Sequence, residues 1–484
     1  MQEKVAKMLN DSVVARWAAL ILIALMMLFA YMFVDVMSPL QSLIETERGW
    51  SSNIYGTYAA SEYILNVCGF LIVAGIILDR CGIRFTGTLS ASLMVIGASI
   101  KFIAVSDWFQ GCGIDVWLNS WWTVLPGNAK LACLGFMIFG CGCEMAGITV
   151  SRAIAKWFNG KEMALAMGLE MAIARLGVFA VFWISPIVAD SSLLGGGVPA
   201  SVAFCAVLLL IGLINFIVFS FMDRKLDSQL GYVQQGNSED DFKFSDIGKI
   251  FKCKMFWIIA LLCVLYYSAI FPFQRYSTDF LACTLNIPTD EAAKLFSWFP
   301  ILAMIMTPFL GSFIDYKGKG ASMLLYGALI MIICHLSFAF LLPLYPQKWF
   351  AFLLVIVLGV SFSLVPAALW PSVPKVIDGK ILGSAYALIF WIQNIGLCFV
   401  PKIIGNVLND CNPGVFAARQ KLAELIKLIG HSDGLPFFPY DYKVPMVIFS
   451  SFGILAFLLA IWLKREDKAK KYGLELPNVV KKEE

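Results

Sequence analysis

Twelve apolar stretches, each long enough to cross a bilayer, leave this chain little choice of architecture. They fall at 17–40, 54–78, 86–105, 131–151, 163–189 and 200–222, then, after a polar interval, at 255–278, 295–314, 321–342, 349–370, 381–408 and 444–463. A spanning helix needs about 20 apolar residues, so twelve consume about half of a chain of 484. Only 14% of the residues are charged, against about a quarter in a soluble domain. Soluble enzyme folds are thereby excluded. The polar start runs into an apolar stretch longer than a signal-peptide core and lacks a small-residue cleavage site, so an uncleaved first span is expected.

An even number of spans puts both termini on one face. That face collects 25 of the 37 basic residues, among them Arg80, Arg84, Arg152, Lys156, Lys317 and the run from Lys464 onward. The positive-inside rule makes it cytoplasmic. The loop at 223–254 contains the long polar segment "DRKLDSQLGYVQQGNSEDDFKF" and reads as a linker between an N-terminal six-helix bundle (1–222) and a C-terminal bundle with its tail (255–484). On the other face, "VFAARQKLAELIKLIG" within 409–443 has the period of an amphipathic helix, placed on the membrane surface or over the outer mouth.

A repeat joins the two halves. "GIILDRCGIR" between the second and third spans supplies Gly75, Asp79, Arg80, Gly82 and Arg84, and "GSFIDYKGKG" between the eighth and ninth supplies Gly311, Asp315, Lys317, Gly318 and Lys319. Three pairs, Gly75 with Gly311, Asp79 with Asp315 and Gly82 with Gly318, keep one spacing of 236 residues. Duplication of a six-span unit explains this register, and two such units around a cavity suit alternating access. Gly75 is expected to admit a close helix from the facing bundle, Asp79 to meet helix-terminal N–H groups, and Arg80 and Arg84 to pair across the turn, closing a cytoplasmic gate.

Both loops resemble the signature of the major facilitator superfamily, transporters built from two six-helix bundles, with Tyr316 departing from the usual basic residue. The segments "FGCGCEMAGITVSRAIAKWFNGKEMALAMGLEMAIARLG" and "LVPAALWPSVPKVIDGKILGSAYALIFWIQNIGL" are similar to its MFSD1-type branch. The resemblance implies an all-α fold of twelve transmembrane helices, a dipeptide uniporter, and, from the lysosomal animal member, a glycosylated accessory subunit.

Charges inside a membrane are costly and face a cavity or one another. Glu62, Glu144, Glu170 and Arg175 lie within spans. Glu144 follows the small-residue run "GCGC", and Arg175 lies about 18 Å from the cytoplasmic start of the fifth span. The two form either a structural ion pair or a clamp that receives an amino group at Glu144 and a carboxylate at Arg175. The resemblance supports the clamp, because both positions match those used for peptide termini in the dipeptide-carrying branch. Glu62 shares a helical face with Tyr55, Tyr58 and Asn66 and suits a coupled proton, a substrate amine or a structural hydrogen bond. Glu170 is placed at the gate.

Tyr267 and Gln274 in the seventh span, Tyr386 and Gln393 in the eleventh, and Trp370 at the end of the tenth are candidates to line the cavity, aromatic surfaces taking side chains and amides a peptide group. Arg275 with Asp279 is read as an outer-gate pair. His335 reads as a packing residue. The thirteen Cys, mostly in apolar runs, and two His offer no metal or catalytic cluster, and neither an ATP-binding loop nor a cofactor motif is present. No polar ring suggests a channel. The readings left are a carrier of dipeptides or similar zwitterions, a carrier of organic anions held by Arg175 or of other metabolites, proton-coupled through Glu62 in one version, and a receptor or scaffold on a transporter fold. A monomer is expected. The outer loops lack an N-x-[ST] sequon and the amino-terminal tail lacks an acidic dileucine signal, which favours a cell (inner) membrane over a lysosomal one and leaves the accessory subunit without its implied setting.

Overall fold

A computed structural model describes residues 8–158, 161–192, 195–230, 244–378, 381–429 and 436–477. Among them the chain forms helices and no strand. In order these are α1 (Val13–Asp35), α2 (Gln41–Arg48), α3 (Ser52–Leu65), α4 (Leu71–Val105), α5 (Gly113–Asn119), α6 (Gly127–Trp157), α7 (Met163–Asp190), α8 (Gly197–Leu230) and α9 (Phe244–Phe251). There follow α10 (Lys254–Leu285), α11 (Thr289–Phe296), α12 (Trp298–Lys317), α13 (Gly320–Leu336), the turn α14 (Leu342–Leu344), α15 (Lys348–Val376), α16 (Leu382–Cys411), α17 (Val415–Ile429) and α18 (Lys443–Lys470).

Eleven continuous helical stretches among the described residues are long and apolar enough to cross a membrane, and one of them, Ser52–Val105, has 54 residues. A straight helix of that length would measure about 80 Å, far beyond a bilayer. It is broken at Gly82, where φ is 76° and ψ 175°. Before the break, α3 packs on α16; beyond it, α4 packs on α6 at Gly97 and Gly135 and on Phe216 of α8 at Gly87. The stretch is therefore two spans, and the twelve form the all-α fold of two six-helix bundles.

The duplicated loop explains its own glycines. Gly318 has φ 73° and ψ −142°, so it and Gly82 both occupy backbone space closed to side chains with a Cβ. Each reverses the chain between two spans within a residue or two. One sequence expectation needs correction in the linker: Asp223–Leu230 is the end of α8 rather than structureless chain, because buried Asp223 accepts hydrogen bonds from Lys156 (2.8 Å) and Trp157 (2.9 Å) of α6. The part of the linker at 231–243 lies outside the described residues.

On the face opposite the termini the halves are in contact. Gly56 of α3 and Gly405 of α16 cross so closely that a Cβ on Gly56 would sit 2.5 Å from the Pro401 carbonyl, while one on Gly405 would collide with the Ser52 carbonyl. Tyr276 of α10 donates to the Pro401 carbonyl at 2.9 Å in the same place. Overpacking of this kind costs about 1–3 kcal/mol. Gly405→Leu should therefore shift the protein away from closure on this face by about five- to hundred-fold in population. Distance distributions between spin labels at the exposed positions Trp108 and Tyr345 check it; an unchanged distribution would show that the crossing does not set the state.

Candidate functional site

The site is built in layers from one face to the other. On the face carrying the termini, the named ion pairs each join residues of one half. Asp79 pairs with Arg152 of α6; Arg84 pairs with Asp227 at 2.6 Å and lies 3.6 Å from Asp223 of α8. Arg80 is exposed, so the expected pairing of Arg80 and Arg84 across the turn is replaced for Arg84 by α8. Lys317 is exposed, while Gly318 packs under the backbone of Glu475–Pro477. That tail segment also takes the backbone N–H of Lys319 and Gly320 (3.0 Å each) on its carbonyls and that of Ser322 (2.7 Å) on the Glu475 carboxylate. Asp315 lies in this second loop with interactions of its own. The expected close helix at Gly75 is absent here: a Cβ at Gly75 or at Gly311 would meet nothing within 4 Å. At both glycines the other half therefore leaves open space.

The opposite face is latched. After α16 ends, Asn412-Pro413-Gly414 reverses the chain, Gly414 at φ 85°, and α17 folds back over the mouth. It carries Arg419 inward, where Nη1 reaches Glu45 of α2 at 3.0 Å and Asp279 of α10 at 3.1 Å. Tyr440 donates to Glu45 at 2.8 Å and Tyr442 to Asp279 at 2.6 Å, so both carboxylates are satisfied. Burial works against the charge on Arg419, but the attraction of Asp279, and further on of Glu45, outweighs it and raises its pKa. The amphipathic segment thus caps the mouth. Asp279 is not the partner of Arg275, since a second arginine has taken it.

Arg275 instead reaches inward. Its guanidinium meets Glu62 of α3 at 2.6 Å with one nitrogen and Asp35 of α1 at 3.1 Å with the other, and also donates to the Val34 carbonyl. A planar fork with two usable edges suits two carboxylates better than the single one of Asp279. Gln274 donates to Asp35 at 2.6 Å, and Tyr55 donates to the Arg275 carbonyl at 3.1 Å. Gln274 is therefore consumed in this network rather than free to line a cavity. Tyr58 is buried with its ring stacked on Phe136 (4.8 Å), and Gln393 is buried, accepting from the Cys263 thiol at 3.2 Å. Both are packed within the helices rather than exposed to an open cavity.

The remaining candidates gather at mid-depth. Glu144 on α6 and Arg175 on α7 are half-buried, and among the described residues no ion pair joins them. Among the described residues neither has a hydrogen-bond partner; Arg175 rests on the Phe362 ring of α15, 5.3 Å from its centroid. Glu144, Glu170 and Arg175 all lie within electrostatic reach of the half-buried Tyr31 on α1, a residue the sequence did not single out. Across the gap, Tyr267 stands 5.8 Å from Phe362, Trp370 5.9 Å from Tyr386, and Tyr386 donates to the Trp370 carbonyl at 3.2 Å. Arg175 of one half thus rests against an aromatic cluster of the other. His335 is buried among Phe273, Phe338 and Phe449, as a packing residue would be.

Two bundles closed at one end, with unpaired charges and aromatic rings at mid-depth, define a membrane transporter of small solutes. The chain belongs to the Major Facilitator Superfamily, which it matches over residues 20–401. It is 28% identical over 393 residues to the "Lysosomal dipeptide transporter MFSD1" of Danio rerio, covering 78% of each chain. With the Homo sapiens protein of that name it shares 26% over 413 residues, 82% of this chain and 81% of the relative. Among solved structures it resembles the nucleoside transporter NupG (TM-score 0.65, 12% identity, 92% of this chain and 99% of the other) and a D-xylose-proton symporter (0.65, 15%, 92% and 97%). These last similarities concern the fold.

Arg419→Ala would leave Glu45 and Asp279 buried without a cation, a loss of about 3–5 kcal/mol if the state were unchanged. The protein should escape it by opening, so labels at Trp108 and Tyr345 should gain a long-distance population about a hundred-fold larger than in the wild type. A distance distribution identical to the wild type would remove Arg419 from the latch.

Proposed function

We propose that the chain carries dipeptides or similar small zwitterions by alternating access, Glu144 receiving the amino group and Arg175 the carboxylate. The supporting observation is that these two opposite charges are half-buried and, among the described residues, unpaired to each other, with Arg175 resting on the Phe362 ring that Tyr267 also packs against. Leaving a charge without a partner inside a membrane protein is costly. A zwitterion supplies both missing partners at once. An extended dipeptide separates its ends by about 5–7 Å, two residues of chain, and an aromatic wall tolerates varied side chains. The dipeptide transporters to which the chain is similar agree with this reading. An organic anion would satisfy Arg175 and leave Glu144 unmatched.

The two duplicated loops serve, in this proposal, as the gate of the termini-bearing face, which we place in the cytoplasm from its excess of basic residues. The open space at Gly75 and Gly311 is where a helix of the opposite half arrives when that gate shuts. Residues 1–222 and 255–484 are the moving halves, with 223–254 joining them. A monomer in a cell membrane fits the lack of outer sequons, and localisation of a tagged full-length chain, with a lysosomal pattern as the contrary result, tests the membrane.

Uptake into proteoliposomes should favour free dipeptides over N-acetylated and C-amidated ones by about tenfold or more, the value of one charge-assisted hydrogen bond. Glu144→Ala should erase the penalty of the acetyl cap and Arg175→Ala that of the amide. Equal uptake of capped and free dipeptides refutes the two-ended clamp, and uptake of dicarboxylates alone moves the assignment to organic anions. For the gate, Gly75→Leu should hold the protein in the state closed on the opposite face by about five- to hundred-fold. Unaltered exchange between states in that variant removes the gate assignment.

A further inference from the structure

Lys101 is a buried cation that none of these assignments uses. It lies on the part of α4 beyond Gly82, fully shielded from solvent, and its Nζ has no hydrogen-bond partner. Three aromatic rings surround it instead: Phe33 at 4.3 Å, Phe136 at 4.4 Å and Tyr58 at 5.0 Å from the ring centroids. Ring faces hold an ammonium electrostatically, yet less firmly than a carboxylate would. A cage of this kind keeps a charge waiting.

The identity of the cage residues shows for what. Phe33 lies two residues before Asp35 on α1, Tyr58 one turn before Glu62 on α3, and Phe136 carries Arg275 at 5.7 Å from its centroid. Lys101 therefore sits beside the Asp35–Arg275–Glu62 cluster, with Cys205 of α8 as a further neighbour, and interacts electrostatically with all of them. Glu144 also acts on Glu62 from α6. The cluster itself divides unevenly between the halves. Asp35, Glu62 and Lys101 belong to the helices before the linker, whereas Arg275, the one cation within ion-pair distance of the two carboxylates among the described residues, belongs to α10 after it. Opening the latched face draws α10 away from α1 and α3. Two buried carboxylates then lose their cation, an expensive state unless another arrives.

We propose that Lys101 is the standby counter-ion of Asp35 and Glu62, leaving its aromatic cage to pair with them when Arg275 withdraws. The inference rests on the alternating-access reading but on no particular substrate. A four-carbon stem gives Lys101 the reach to turn from ring faces to a carboxylate one helical turn along α3. With it, the opened half holds two carboxylates and one cation; without it, two carboxylates alone. Lys101 thus positions the charge balance of the cycle and touches no substrate.

Full-length protein labelled at Trp108 and Tyr345, both exposed on the latched face, reads the two states directly without substrate. The wild type should show short and long distances. Lys101→Met should reduce the long-distance population about tenfold or more. Because Glu62→Gln by itself weakens the Arg275 bridge, the reference is that single variant: with Glu62 neutral, adding Lys101→Met should lower the long-distance population far less than the roughly tenfold expected in the wild-type background, whereas a merely structural role for Lys101 would cost the same in both. Long distances in Lys101→Met at wild-type level overturn the proposal, as does an equal loss in the Glu62→Gln background. Should Lys101→Met alone not fold, the comparison of the double variant with Glu62→Gln carries the test: the double variant is expected to sample both distances, and the loss of its long distances relative to Glu62→Gln overturns the idea. Because no dipeptide enters the measurement, its failure is distinct from failure of the capped-dipeptide uptake.

Discussion

The guanidinium of Arg275, shared between Asp35 at 3.1 Å and Glu62 at 2.6 Å, is the contact on which the arrangement of this protein depends. It ties α10 of one half to α1 and α3 of the other at the depth where no water compensates for its loss. Removing one partner of such a group costs about 3–5 kcal/mol, comparable to what separates two conformations that must both be visited. A bridge this strong holds a state, and a state that must be left needs the bridge's charges met elsewhere. The uneven division of the charges, two acids with one reserve cation on one half and a single arginine on the other, follows from that need.

Closure at one face is a stack of such devices in different materials. Arg419, Glu45 and Asp279 form a polar lid, Gly56 and Gly405 a backbone-to-backbone crossing, and Arg275 the innermost bond. On the termini-bearing face the same chemistry is spent within each half: Arg84 on α8, Asp79 on α6, the second loop on the tail at Glu475. Charges satisfied inside a rigid half stabilise it without opposing its movement. The asymmetry between the two faces is therefore a statement of which face is closed.

The architecture was legible because bilayer thickness and backbone hydrogen bonding translate directly into apolar length. The register of 236 residues was legible because Gly82 and Gly318 occupy backbone conformations that admit only glycine. Partner choice was not. Arg275 and Asp279, four apart on one helix, read as a pair, but four residues also separate groups that face different neighbours, and Arg419 from a loop 140 residues away claims Asp279. Lys101, near the end of its apolar stretch, was not among the charges singled out within spans; only the rings of α1, α3 and α6 around it reveal a buried charge. Tyr31, an aromatic in an apolar run, carried no signal at all until Glu144, Glu170 and Arg175 were found within electrostatic reach of it.

What separates the candidate binding charges from the structural ones is how they are satisfied. Asp35, Glu45, Glu62 and Asp279 are buried and each holds a cation; Glu144 and Arg175 are half-buried and hold none among the described residues. Water entering from the open face can solvate the latter pair, so their cost is bearable in this state and rises as the cavity closes and dries. A ligand that neutralises both makes closure affordable, whereas an empty site resists it. In the proposed two-ended clamp, specificity and the sequence of conformations have one origin: the solute that permits the halves to close is the one whose two charged ends replace the water around Glu144 and Arg175 together.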